Sequence, residues 1–144
     1  MSKITIFGKI KKKLIEDKQL RNLLIIVLVG LLYFITLTIC RHIVNCEIMF
    51  LKKSVIGSCD GWCVSHYLHY IVLAYVAPKY WLLLIIFGII FEFIEMGLSK
   101  YNRFINGNLI GDTITNSLGV FTGLLIYNIF PTEVDIYNLT INRI

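Results

Sequence analysis

Three short stretches of this chain carry side chains able to do chemistry. "SHYLHY" supplies His66 and His69, "FEFIE" supplies Glu92 and Glu95, and "GDTITN" supplies Asp112 and Asn116. Each pair is spaced i, i+3 or i, i+4, so on a helix its members share one face. The residues around them are overwhelmingly apolar. An ionisable side chain at the centre of a membrane helix costs about 2.5–3.5 kcal/mol on insertion scales, so such residues mark functional sites by default. Gathered carboxylates repel and must protonate, pair with a cation or bind a metal. Oxygen donors from Glu92, Glu95, Asp112 and Asn116 suit a hard cation, calcium or magnesium. His66 is the candidate general base toward a lipid headgroup or water. His69 and Tyr70 are read as supporting residues, at the interface or in packing. The competing reading is structural: buried acids stay neutral and hydrogen-bond across helices, fixing the bundle.

Composition says which elements must position these groups. Of 144 residues, 57% are hydrophobic without glycine and 16% are charged, and mean hydropathy is +0.75. A soluble domain reaches about 45–50% apolar only with glycine included, and one this small cannot bury such a surplus. Disorder, collagen-like repeats and coiled coil are excluded as well. The expected fold is all-α, a polytopic integral membrane bundle with about four transmembrane helices. The spans are expected over about 22–40, 62–77, 80–98 and 109–130, within one membrane domain, 22–130. Residues 1–21 form a basic segment before it and 131–144 a short tail. Open strands cannot sit in lipid, so these runs must be helices. The first run lacks a small-residue cleavage site and is read as an uncleaved span.

That layout fixes the depth of the polar residues. His66 follows the start of the second run, Glu92 and Glu95 precede the end of the third, and Asp112 follows the start of the fourth. At about 1.5 Å per residue, all lie roughly 4–9 Å below the same surface. Three helices therefore aim a histidine, three carboxylates and an amide at one level near the headgroups.

Charge sets the orientation. Lys3 to Arg21 holds seven of the fourteen positive residues. Ile6, Phe7, Ile10, Leu14 and Ile15 fall near helical spacing, the pattern of an amphipathic helix on an anionic membrane surface. A plain topology anchor explains the same charges. No nucleic acid is expected as a partner, because no aromatic interleaving accompanies the charge. With the N-terminus inside, nine positive residues face the cytoplasm and five face out. The positive-inside rule thus places both termini in the cytoplasm. The expected partners are the lipid bilayer and phospholipid headgroups. A homo-oligomer is an open expectation, since four short spans enclose a transport path only as several copies.

Gly119 and Gly123 form a small-xxx-small pair suited to close helix packing. His42, Cys46, Cys59 and Cys63 surround the long loop. Their His-x3-Cys and Cys-x3-Cys spacings could hold zinc, although they match no familiar zinc finger. In an oxidising compartment a Cys46–Cys59 disulfide is expected, leaving Cys63 free.

The segment from about 60 to 124 resembles the VanZ-like family of small membrane proteins. The matching pieces are "HYLHYIVL", "EFIE", Arg103 in the following loop, and "DTITNSLGVFTG", which sets Asp112, Asn116, Gly119 and Gly123 at the family's spacing. Where that family usually carries glutamine three residues after its glutamate, this chain has Glu95. The resemblance implies a multi-pass protein of a family linked to glycopeptide resistance, with Arg103 supporting the cluster. The same stretch is similar to the core of the phosphatidylserine synthase family, in which a membrane histidine precedes an E-x-x-E pair. That similarity implies headgroup exchange, with His66 as base and Glu92 and Glu95 as calcium ligands. The family's Trp-Trp-Asp stretch is absent, and its members have many more spans.

Overall fold

The computed structural model describes residues 6–43, 54–56, 59–99, 109–131 and 133–137. The chain begins with α1 (Ile6–Glu16), which is amphipathic, and α2 (Lys18–Ile43), which is apolar on nearly every side. Asp17 separates them. Its carboxylate accepts from the backbone N–H of Leu20 at 3.1 Å, satisfying a free donor of the first turn of α2. That cap starts α2 at Lys18, earlier than the apolar run alone indicates. A small ladder pairs β1 (Ser54–Ile56) antiparallel with β2 (Cys59–Asp60). Then come α3 (Gly61–Val76), a 3₁₀ turn (Pro78–Tyr80), α4 (Trp81–Ser99) and α5 (Leu109–Ile129). Pro78 carries no backbone N–H and turns the chain from α3 into α4.

The architecture is an all-α membrane bundle. Among the described residues, three stretches are long and apolar enough to cross a membrane: Lys18–Thr36, Pro78–Gly97 and Leu109–Ile129. The second expected span, α3, has 16 residues and so reaches about 24 Å, short of the roughly 30 Å hydrocarbon core. It compensates by packing, with Tyr70, Leu73 and Ala74 buried against Leu84 of α4 and Val120 of α5. Outward faces stay apolar: Leu68, Phe93, Phe121 and Leu125 are each more than half exposed. In water that surface would be a liability, whereas lipid solvates it.

Small residues set how closely α3 and α5 approach. A Cβ added to Gly119 would lie 2.7 Å from the Tyr67 carbonyl oxygen and 2.9 Å from Tyr70 Cβ. One added to Gly123 would strike the Ile71 carbonyl and come within 2.8 Å of Ala74 Cβ. Backbone therefore meets backbone at both turns, which only glycine permits.

One end of the bundle is tied by polar contacts. Asp17 accepts from the Tyr80 hydroxyl at 2.6 Å and pairs with Lys79 at 3.0 Å. The Tyr80 hydrogen bond is the main reason the Asp17 pKa falls to about 2, with Lys79 and the Leu20 amide adding to it against partial burial. Arg21 pairs with Asp135 at 2.6 Å, and its guanidinium lies over the Tyr137 ring. The buried Asn22 side chain donates to the Val134 carbonyl at 2.6 Å and accepts from the Ile136 amide at 3.0 Å. The α1–α2 junction, the turn after α3 and residues 133–137 therefore share one end.

Candidate functional site

The polar cluster lies at the opposite end. Asp60 caps α3, its carboxylate accepting from the Cys63 amide at 3.0 Å. His66 stands one and a half turns further in. Glu92 and Glu95 lie in the last two turns of α4, and Asp112 lies in the first turn of α5. A carboxylate there is favoured by the positive end of the helix dipole. Asn116 follows one turn later on the same face.

The structure brings these groups together. Glu92 is fully buried, and Glu95, Asp112 and Asn116 are nearly so. Asn116 donates its Nδ2–H to Glu92 Oε1 at 2.7 Å. His66 Nδ1 lies 3.6 Å from the same oxygen. Trp62 lies beside Glu95, which is within electrostatic reach of His66, Glu92 and Asp112. Tyr70 faces both glutamates electrostatically and is buried.

Among the described residues, four buried polar atoms of this cluster have no hydrogen-bond partner: His66 Nδ1, Glu92 Oε2, Glu95 Oε2 and Asn116 Oδ1. Native interiors rarely leave such atoms bare, because each costs about 1–3 kcal/mol or more when charged. Here four sit on three helices at one level. Three are oxygens, the donor type that a hard cation or a headgroup ammonium takes up. Among the described residues, no three His, Cys, Asp or Glu side chains are already gathered around one metal position.

An aromatic layer walls the cluster and was not singled out from the sequence. Phe34 of α2 lies 6.1 Å from Trp62 and 5.6 Å from Phe91, ring centre to ring centre. The His66 ring lies 5.1 Å from Trp62 and 6.1 Å from Phe91. The available signal was the i, i+4 spacing of Trp62 and His66. His69 points elsewhere, packing where a Cβ on Gly30 of α2 would come within 2.7 Å of its ring.

The cysteine pairing is corrected. The disulfide joins Cys59 to Cys63, not Cys46 to Cys59. The tight entry into α3, held by the Asp60 cap, brings the two Cα atoms to 5.4 Å, inside the range a disulfide spans. This bond also consumes two of the four residues weighed as zinc ligands. Cys46 and Arg103 lie outside the described residues.

No family model, no curated protein and no solved structure matches this chain.

Proposed function

We propose that this chain is a VanZ-like multi-pass membrane protein whose buried cluster receives a phospholipid headgroup. The observation that carries the reading is the set of four unpartnered polar atoms on α3, α4 and α5. The cluster is rich in acceptors, so the group it takes must bring positive charge. A calcium or magnesium ion shared with the lipid phosphate meets that need. Magnesium in particular is often held by one or two carboxylates plus substrate phosphates rather than by a complete protein cage. Glu92, Glu95 and Asn116 would hold it, with Asp112 adding charge nearby. When bound, the ion neutralises the carboxylates and polarises the phosphate. His66 serves as proton acceptor for a hydroxyl or water at the headgroup, with Glu92 behind its Nδ1.

The reading places the cluster near the outer surface and both termini in the cytoplasm. The basic α1 lies at the end opposite the cluster, as positive-inside topology requires. A Cys59–Cys63 disulfide beside the cluster suits an oxidising outer face.

The test incubates purified protein with mixed phospholipids, serine and calcium, followed by lipid mass spectrometry. Wild-type protein is expected to retain a headgroup-selected lipid or to change its headgroup. Glu92→Gln and Asp112→Ala are expected to lose this while still inserting and folding. Absence of both retained lipid and turnover in the wild type would overturn the reading. The Asn116–Glu92 hydrogen bond favours a second one, a polar lock between α4 and α5. It predicts instead that these variants fail to fold.

A further inference from the structure

Beside the cluster, α2 stands off α3 and α4 and leaves a groove of about 250 Å³. Val27, Leu31 and Phe34 form one wall, and Leu73, Leu84 and Phe87 face them. The groove is apolar over most of its length. Its polar lining side chains are Ser65, His66 and His69, with the tyrosines Tyr33 and Tyr70. His66 lines both the groove and the carboxylate cluster.

We propose that this groove holds one acyl chain of a membrane lipid and thereby brings the lipid's polar end to the cluster. The inference deepens the headgroup reading and rests on it for what happens at the polar end. Length selects the occupant. On α3 the lining runs from Trp62 to Leu73, about 16 Å at helical rise. The hydrocarbon core is about 30 Å thick, so one leaflet contributes about 15 Å. The groove therefore descends from the level of Trp62, past His66, to about the bilayer midplane, the depth of a single chain. Continuity supports the same occupant. A slot that is apolar below and reaches His66 above, itself 3.6 Å from Glu92, fits a molecule with a hydrocarbon tail and a polar end. The neighbouring side chains are themselves lipid-exposed: Leu28, Leu32 and Phe87 are each more than half exposed. A chain can thus enter sideways from the bilayer.

The experiment reconstitutes the full chain in vesicles of phosphatidylcholine, phosphatidylethanolamine and phosphatidylglycerol. A trace of each is included with a photoactivatable diazirine in its acyl chain, and labelled residues are mapped by mass spectrometry after illumination. Groove residues Val27, Leu31, Leu73 and Phe87 are expected to carry several-fold more label than Phe121 and Leu125 on the far side. Val27→Trp fills the slot and is expected to lower labelling of Leu73 and Phe87 several-fold without altering the unfolding midpoint. Labelling that merely follows lipid exposure on all sides would overturn the groove, as would undiminished labelling in Val27→Trp. Glu92→Gln separates the two proposals. Groove labelling that persists equally for all three headgroups, in wild type and variant alike, upholds the acyl-chain site and overturns headgroup binding.

Discussion

Replacing Asn116 with leucine removes the donor that holds Glu92 Oε1 at 2.7 Å. The Glu92 side chain is fully buried and its other oxygen has no partner among the described residues, so the variant leaves a buried carboxyl with no hydrogen bond and only His66 Nδ1 nearby, at 3.6 Å. Interhelical hydrogen bonds in membranes average about 0.6 kcal/mol and reach about 1.7. Stranding the remaining partner adds about 1–3 kcal/mol. The expected loss is therefore about 2–3 kcal/mol. In a Glu92→Leu background nothing is left to strand, and removing Asn116 as well should cost less than about 1 kcal/mol. The double-mutant cycle then reports a coupling of about 1–2 kcal/mol. Unfolding in mixed micelles, titrated with denaturing detergent and followed by tryptophan fluorescence, measures all four proteins. Equal losses from Asn116→Leu in both backgrounds refute the reasoning, because they show that the two side chains do not depend on each other. Lipid retention on the same samples separates lock from ligand site. A pure lock leaves the Glu92→Leu, Asn116→Leu protein folded and unchanged in bound lipid, whereas a headgroup site leaves it folded and stripped.

Other expectations follow from single contacts. Gly119→Ala puts a methyl 2.7 Å from the Tyr67 carbonyl and should destabilise by about 1–3 kcal/mol. Gly97→Ala, with nothing within 4 Å, should be neutral or stabilising by up to about 1 kcal/mol; equal effects at both sites would sink the close-packing argument. Asp17 titrates near pH 2 because of Tyr80 and Lys79. Its contribution, at most about 2 kcal/mol, is present above pH 4 and is lost as pH falls from 4 toward 2. Asp17→Asn should flatten that part of the stability profile, and an unchanged profile contradicts the assignment. Peptide mapping without reductant should find the disulfide inside the single tryptic peptide 54–79; a crosslink to the peptide carrying Cys46 contradicts the pairing.

The class of fold was readable because solvent leaves a compositional mark. A chain with so few charges must present apolar side chains outward, and only lipid accepts that. Helix ends were less readable. Asp17 and Asp60 act through their own side chains on the next turn, a local competition that hydropathy averaging erases. The Cys59–Cys63 bond depends on that same Asp60 turn, which is why spacing alone pointed to Cys46. The shortness of α3 was readable, since the expected 62–77 run and the observed helix both hold 16 residues. Its apolar run continues through Ala77, but Pro78 stops the helix at Val76.

The polar level was readable for a reason that also limits what spacing can say. Turn periodicity places His66, Glu92, Glu95, Asp112 and Asn116 on inward faces, and helix rise places them at one depth. Neither periodicity nor rise reaches across helices. Which oxygen faces which nitrogen depends on how far α5 can approach α3, and that distance is set by Gly119 and Gly123 against backbone carbonyls. Tight contact there carries Asn116 inward, where it spends its amide N–H on one glutamate oxygen. That bond still leaves Glu92 Oε2 and Glu95 Oε2 without a partner among the described residues. The surplus of acceptors is thus a consequence of helix packing as much as of composition, and loosening the glycine contact should lower it. Gly119→Ala is therefore expected to reduce headgroup-selected lipid retention along with stability, even though residue 119 carries no polar group. Retention that stays at the wild-type level in a variant destabilised by the expected amount would show that the cluster forms independently of the α3–α5 contact.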